Sequence, residues 1–377
     1  MHGLRLLLIT HMTDLYHHIH DGEIFQKSRC IWHENAMMDF FRSQLQMLGY
    51  HSTSASNKVW ARGSRQVVVC LADDVYTCRP QGHLGPMPTT WDINTTVITD
   101  NYITCATQYQ VCRLPDSYFG IYHYQPQLKD WQPSRRFNFA VNRLDAKRLI
   151  LFLELVSRAT KPDPNNKDWP LLLDLDRDWV NFNCWSWNST NASPQVLQQN
   201  FLREYQNLPL SLRQLYDKTF KEMSELMPYR NHDLSLEQCH VQAWLNMIIE
   251  TYSSDTNIAL SEKTFRALVT PVPFVLYAGK YTTARLCQMG FDIMGDLVQH
   301  RTDFAQEKHT GQFGDRLVDF IKDADQSVDS IKKQDFVTAK TRCQQAAEHN
   351  QNVLAQMAQQ WPADFAQWWP GVVERLR

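Results

Sequence analysis

Apolar positions along the chain fall into two successions of short hydrophobic runs, each alternating with segments of helical spacing. In the first succession Leu4–Thr10 reads as a strand. His33–Met47 carries Met37, Met38, Phe41 and Leu45 at the three-to-four-residue spacing of a helix face, with Gly49 as its stop. Gln66–Ala72 (QVVVCLA) is a β-branched run of the kind buried on both faces of a parallel sheet. Thr95–Thr99 and Phe119–Tyr124 read as further strands, and the proline-bearing stretch Pro80–Asp92 as a loop. The second succession opens with the strand Phe137–Val141 and the strongly apolar helix Asp145–Arg158, followed by a loop over Pro162–Asp168. Helices are predicted at Pro194–Tyr205 and Ser211–Leu226, the latter with Ser211 as its N-cap. Then come the buried strand Trp244–Glu250, a helix from Ser261, the strand Pro273–Tyr277 and a short helix Thr282–Met289 that Gly290 ends. From Gln312 onward the pattern is helical only, and the aromatic stretch Trp361–Trp369 is expected to pack back onto the body. Strands alternating with helices in two series predict the α/β class with parallel sheets.

Composition narrows the chemistry. The 377 residues include 38 Lys+Arg against 40 Asp+Glu, a formal charge of −2, which argues against a surface coated in phosphate-binding cations. Gly and Pro, at 13 and 16, are scarce, so linkers and glycine-built phosphate cradles are not expected. Nine cysteines without a CxxC pair suit a reducing compartment, and the apolar run Leu6–Ile9 is too short for a secretory signal. No stretch approaches the length of a bilayer span. A cytoplasmic protein without a membrane partner is the expectation. Neither GxGxxG, Walker A, GxSxG nor HExxH occurs, which argues against a dinucleotide oxidoreductase, a kinase, a serine hydrolase and a zinc protease.

Three groups of residues could carry chemistry. Ser261-Glu262-Lys263 opens a helix after a strand and loop; free N–H groups and the positive end of the helix dipole suit a phosphate, Lys263 adds a cation, and Glu262 can accept from a ribose diol. Glu262 and Lys263 read equally as ordinary first-turn surface residues. The second group, Asn142, Arg143 and Arg148, lies where a strand's carboxyl end meets the next helix, the edge at which open α/β sheets bind ligands. Arg143 could hold a diphosphate with Asn142 fixing the backbone, while Arg148 could instead pair with Asp145 or Glu154. The third is a His-rich cluster in which Asp21, Glu23, His33 or Glu34 could serve as general base. The pair His18/His20 with Asp21 and Glu23 fits no tetrahedral zinc spacing, so no metal is expected, and the bland alternative is a solvated loop. Asp73-Asp74 is a weaker carboxyl pair, and Trp179–Trp187 (WVNFNCWSW) reads as a stacking surface or as interdomain packing.

Ser261-Glu262-Lys263 with the apolar strand behind it resembles the "TEK" nucleotide-sugar motif of α1,3-fucosyltransferase-like enzymes, Ser standing in place of Thr. Several stretches are similar to the TET/JBP-associated glycosyltransferases and to the glycosyltransferase-like domain of the oestrogen-regulated growth protein family. They run, in order, Leu114–Tyr122, Phe137-Asn138, Asn142-Arg143-Leu144-Asp145 with Arg148, Asn181-Phe182-Asn183, Ser261–Thr264, Pro273–Val275 and Met289–Phe291. The resemblance covers roughly residues 110–300. It implies a GT-B-like arrangement: an N-terminal Rossmann-like acceptor domain (1–125) and a nucleotide-sugar-binding domain (126–310) face a cleft, and C-terminal helices (311–377) pack on the body. It also implies metal-independent transfer of a sugar from a nucleoside-diphosphate sugar to an acceptor hydroxyl, without a cofactor. In that scheme Glu262 meets the ribose, and Lys263 and Arg143 hold the diphosphate. The acceptor stays open among DNA, a glycan and a protein. A DNA-base-modifying version would be favoured by the basic residues Arg62, Arg65, Arg79, Arg135 and Arg136, and a catalytically inactive scaffold is the third reading.

Overall fold

The computed structural model describes residues 26–53, 59–71, 93–100, 102–103, 107–123, 130–141, 146–160, 180–184, 199, 202–226, 240–250, 257–300 and 314–377. The predicted strand Leu4–Thr10, the loops Pro80–Asp92 and Pro162–Asp168, and the residues Asp21, Glu23, Asp73, Asp74, Asn142 and Arg143 lie outside them. What is described is mixed α/β, with two main sheets that are largely parallel.

Helix α1 (Gln26–Met47) starts seven residues before the predicted His33, because no Gly or Pro interrupts Gln26–Met47 and its early turns need no apolar face to be helical. His33 and Glu34 therefore sit within α1 and not in a loop ahead of it. The predicted stop holds: Gly49 adopts φ +80, with Tyr50 N–H bonded to Leu45 C=O and Gly49 N–H to Gln46 C=O, the paired bonds of a Schellman C-cap.

The first sheet has strand order β1 (His51–Ser52), β2 (Val59–Arg62), β3 (Arg65–Cys70), β4 (Thr95–Thr99), β6 (Gln110–Arg113). Pairing is antiparallel from β1 to β3 and parallel from β3 through β4 to β6. The central strand β3 is covered on both sides. Val67 and Val69 join Met37, Phe41 and Leu45 of α1, whereas Val68 and Cys70 meet Val97, Tyr109 and Ala259. The second sheet is wholly parallel, in the order β11 (Phe274–Tyr277), β9 (Ala243–Ile249), β7 (Arg135–Val141), β8 (Val180–Cys184). Its central residues Leu245, Met247, Ile249, Phe137 and Phe139 pack against α2 (Ala146–Thr160) and α6 (Gly314–Lys332). A third, two-stranded ribbon joins the halves: β5 (Tyr102–Ile103) pairs antiparallel with β10 (Asn257–Ile258).

Two local expectations are corrected. The predicted strand Phe119–Tyr124 is not formed over its described residues 119–123; Asp116–Tyr122 forms a 3-10 helix behind Pro115, and Phe119 and Tyr122, three residues apart, lie in the same row with rings 6.4 Å apart. A continuous apolar run cannot by itself distinguish the two. Ser211 does not cap its helix, because α3 (Leu210–Leu226) begins one residue earlier and the Pro209 carbonyl accepts from both Leu212 and Arg213 N–H at 3.0 Å.

The C-terminal pattern is borne out. Helix α7 (Phe336–Leu376), about 60 Å long, carries Ala339, Cys343 and Ala346 into the core of the second sheet. Its far end takes Leu354, Trp361, Phe365 and Trp369 into the core that joins α1, the 3-10 helix and α4 (Glu262–Val269). Phe40 and Phe41 meet Phe365 and Trp369 at ring distances of 5.2–6.5 Å. The 3-10 helix lies so close to α7 that a Cβ on Gly120 would fall 2.2 Å from the Ala358 nitrogen. Gly120→Ala should therefore destabilise the protein by about 3 kcal/mol, read as a lowered denaturant midpoint; an unchanged midpoint would show that the two elements separate without cost.

Candidate ligand-binding edge

The carboxyl ends of β9 and β11 meet at one edge, where Glu250 N–H donates to the Tyr277 carbonyl at 2.9 Å. Glu250 ends the apolar run of β9 as a fully buried carboxylate, and a buried carboxylate must be hydrogen-bonded. It accepts from Ser261 N–H at 2.9 Å, from Ser261 Oγ at 2.6 Å and from Thr264 Oγ1 at 2.5 Å. Ser261 is the N-cap of α4, as the sequence predicted, and its Oγ also accepts from Lys263 N–H at 3.3 Å. One carboxylate and two hydroxyls thus pin the first turn of α4 to the end of β9. The same carboxylate sits where the helix dipole is positive, so part of that field is already answered from within the chain.

Among the predicted donor residues, the structure brings Ser261 and Lys263 to this edge. Lys263 is half-buried, and Glu262 is the first residue of α4. Arg148, on α2, is buried and donates from Nη2 to the Ile249 carbonyl at 3.3 Å, so it supports the end of β9 from inside the sheet. Of the predicted general bases, His33 and Glu34 belong to α1. Ser261 lies three residues beyond the end of the strand that pairs with β5, so the N-terminal half lies against the same edge, and Tyr122 of the 3-10 helix stacks on Phe265 of α4 at 4.7 Å.

A polar cluster at this junction was not foreseen. Tyr102 of β5 lies between two guanidiniums, Arg113 at 4.1 Å and Arg285 of α5 (Thr282–Gln288) at 4.3 Å from its ring centre. Asp116 receives the Tyr102 hydroxyl at 2.5 Å and Arg113 at 2.8 Å, and Arg285 also bonds to it. Burial works against ionisation of Asp116, but the Tyr102 hydroxyl and the two arginines outweigh it and hold its carboxyl below the ordinary range. Burial foremost, together with the hydrogen bond to Asp116, raises the Tyr102 phenol far above its ordinary value, so it stays protonated. Arg113 and Asp116 stand three residues apart, but Tyr102 and Arg285 join them from elsewhere in the chain, which no local spacing could reveal.

Beyond β11 the chain makes a tight turn, Gly279–Thr282, closed by Thr282 N–H to Gly279 C=O at 3.2 Å. Its third residue, Tyr281, has φ 66 and ψ 14, a left-handed conformation that costs a non-glycine residue about 1 kcal/mol.

Of the basic residues considered for DNA, Arg62, Arg65 and Arg136 are engaged within the chain. Arg62 donates to the carbonyls of Leu48, Leu376 and Arg377 at 2.7–2.9 Å, and Arg65 reaches Leu376 at 3.4 Å. These cations meet the negative end of the α7 dipole. Arg136 pairs with Asp325 and Asp329. Arg79 lies outside the described residues. Among the described residues no three His, Cys, Asp or Glu side chains converge as a metal site, and no helix is long and apolar enough to cross a membrane.

Neither a protein-family model nor a curated protein matches this chain.

Glu250→Ala should lower stability by about 3 kcal/mol, because Ser261 N–H and two hydroxyls lose a charged acceptor in a buried setting; equilibrium urea unfolding measures it, and a loss below about 0.5 kcal/mol would mean that α4 is held by other contacts. Asp116 adds a pH dependence. Since its folded pKa is depressed, its contribution is complete above the ordinary carboxylate value of about 4 and is lost as pH falls through the folded one. Asp116→Asn should accordingly flatten the fall in stability below about pH 5, with the two curves converging in acid; parallel curves would contradict this.

Proposed function

We propose that the protein is a glycosyltransferase that binds a nucleoside-diphosphate sugar at the carboxyl edge of β9 and β11 and passes the sugar to an acceptor hydroxyl approached from the N-terminal half. The observation that carries this reading is the N-terminus of α4, locked by Glu250 and Ser261, with Lys263 in its first turn at the end of a wholly parallel sheet. Ligands of open α/β sheets sit in that position. The leaving diphosphate gains negative charge as the glycosidic bond breaks, and a fixed cation stabilises that charge more in the transition state than in the ground state. Lys263 is the cation at hand, and Arg143 is its partner in the resembling family's scheme. Because α4 is fastened at its first turn, the Lys263 backbone reorganises little, which is what electrostatic stabilisation requires.

Two Rossmann-like units facing one cleft remain part of this proposal. The parallel strands β3, β4 and β6 in the first half and the all-parallel second sheet support it, as does the β5–β10 ribbon that brings the halves together at the proposed donor edge. The engagement of Arg62, Arg65 and Arg136 inside the chain lends no weight to a DNA acceptor over a glycan or a protein.

A thermal-shift screen with UDP, GDP, ADP and CDP should show selective stabilisation by one of them. Lys263→Ala should weaken that ligand by about tenfold or more, the worth of one charge-assisted contact. Wild-type affinity in Lys263→Ala, or no response to any nucleotide, would remove the sugar-transfer reading.

A further inference from the structure

Tyr281 combines three features. Its backbone is held at φ 66 where Gly or Asn would be unstrained. Its side chain is 45% exposed, and among the exposed large hydrophobic residues described it is the one that follows directly from a strand of the parallel sheet. The turn that presents it is rigid. Ala278 and Thr282 on either side are buried, Thr282 Oγ1 and N–H both reach the Gly279 carbonyl, and Arg285 N–H bonds to the Tyr281 carbonyl at 2.9 Å. Arg285 is in turn tied to Asp116 and Tyr102 in the other half. Strain kept at an exposed aromatic ring, on a turn built to hold it, is the pattern of a ligand contact.

We infer that Tyr281 is the stacking platform for the aromatic base of the nucleoside diphosphate, an inference that rests on the reading of the α4 edge given above. Tyr281 lies four residues beyond β11, and Glu250 holds α4's first turn at the end of the neighbouring parallel strand β9, so a ligand whose phosphates reach Lys263 would extend along the same edge toward the Tyr281 turn. A tyrosine face accepts a flat heterocycle with little selectivity between bases, and being held rigidly it loses little freedom on binding. Lys280, whose ammonium lies 4.9 Å from the ring centre of Tyr281, adds positive charge beside an anionic ligand.

Calorimetric titration of wild type, Tyr281→Gly and Tyr281→Phe with the four nucleoside diphosphates and with inorganic pyrophosphate tests this. Tyr281→Gly should bind the preferred nucleoside diphosphate about tenfold more weakly, bind pyrophosphate as wild type does, and melt no lower than wild type because the strained φ is relieved. Tyr281→Phe should keep nucleotide affinity. Undiminished nucleotide binding by Tyr281→Gly overturns the inference while leaving the sugar-transfer reading in place. A fall in its ligand-free melting temperature of more than about 2 °C also overturns it, because the ring would then be a packing element. If wild type binds neither nucleotide nor pyrophosphate, the sugar-transfer reading itself falls and this inference with it.

Discussion

The carboxylate of Glu250 is the interaction on which the ligand edge depends. Buried at the end of β9, it is compensated by hydrogen bonds drawn from the start of the next described helix in the chain: the Ser261 amide, the Ser261 hydroxyl and the Thr264 hydroxyl. Those bonds fasten α4 at its first turn. The residues just before that turn are β10, which pairs with β5 of the N-terminal half, so the lock also sets where the two halves of the chain meet. A buried charge of this kind is costly to leave unpaired, which makes its geometry sharply defined.

Around that lock the apolar packing is continuous. Residues from α1, β3, the 3-10 helix, α4, β11 and the far end of α7 share one core, while α2, α6 and the near end of α7 complete a second core on the opposite face of the parallel sheet. Helix α7 spans both, and Gly120 of the 3-10 helix lies against its Ala358 backbone with no room for a side chain. The two sheets are thus held by shared packing and by the Arg113–Asp116–Arg285–Tyr102 cluster, an arrangement that limits how far the edge can open.

Much of the candidate site was visible in the chain because its signals are local. Ser261 as N-cap, Lys263 in the first turn, and Gly49 and Gly290 as helix stops at φ +80 and +92 follow from the conformational needs of single residues. Arg148 shows the limit: its position after a strand suggested a ligand contact, whereas its guanidinium lies buried against Ile249 C=O. Arg62 and Arg65 show the same. A count of cations says nothing about whether a helix C-terminus from the other end of the chain will occupy them.

By itself the sequence determined the class of fold, the buried parallel strands, the helices with one apolar stripe, and the hydroxyl that caps α4, since each depends on periodicity or on a residue's own backbone preference. Only the tertiary structure decided that Glu250 faces Ser261, that Asp116 bridges Arg113 and Arg285, and that Tyr281 stands strained at the end of β11. These arrangements depend on which elements the fold brings together, as where Arg285 meets Asp116 across 169 positions of the chain, or, for Tyr281, on what the neighbouring strand brings alongside. Burial and pairing of that kind are properties of the assembled core, to which no stretch of spacing has access.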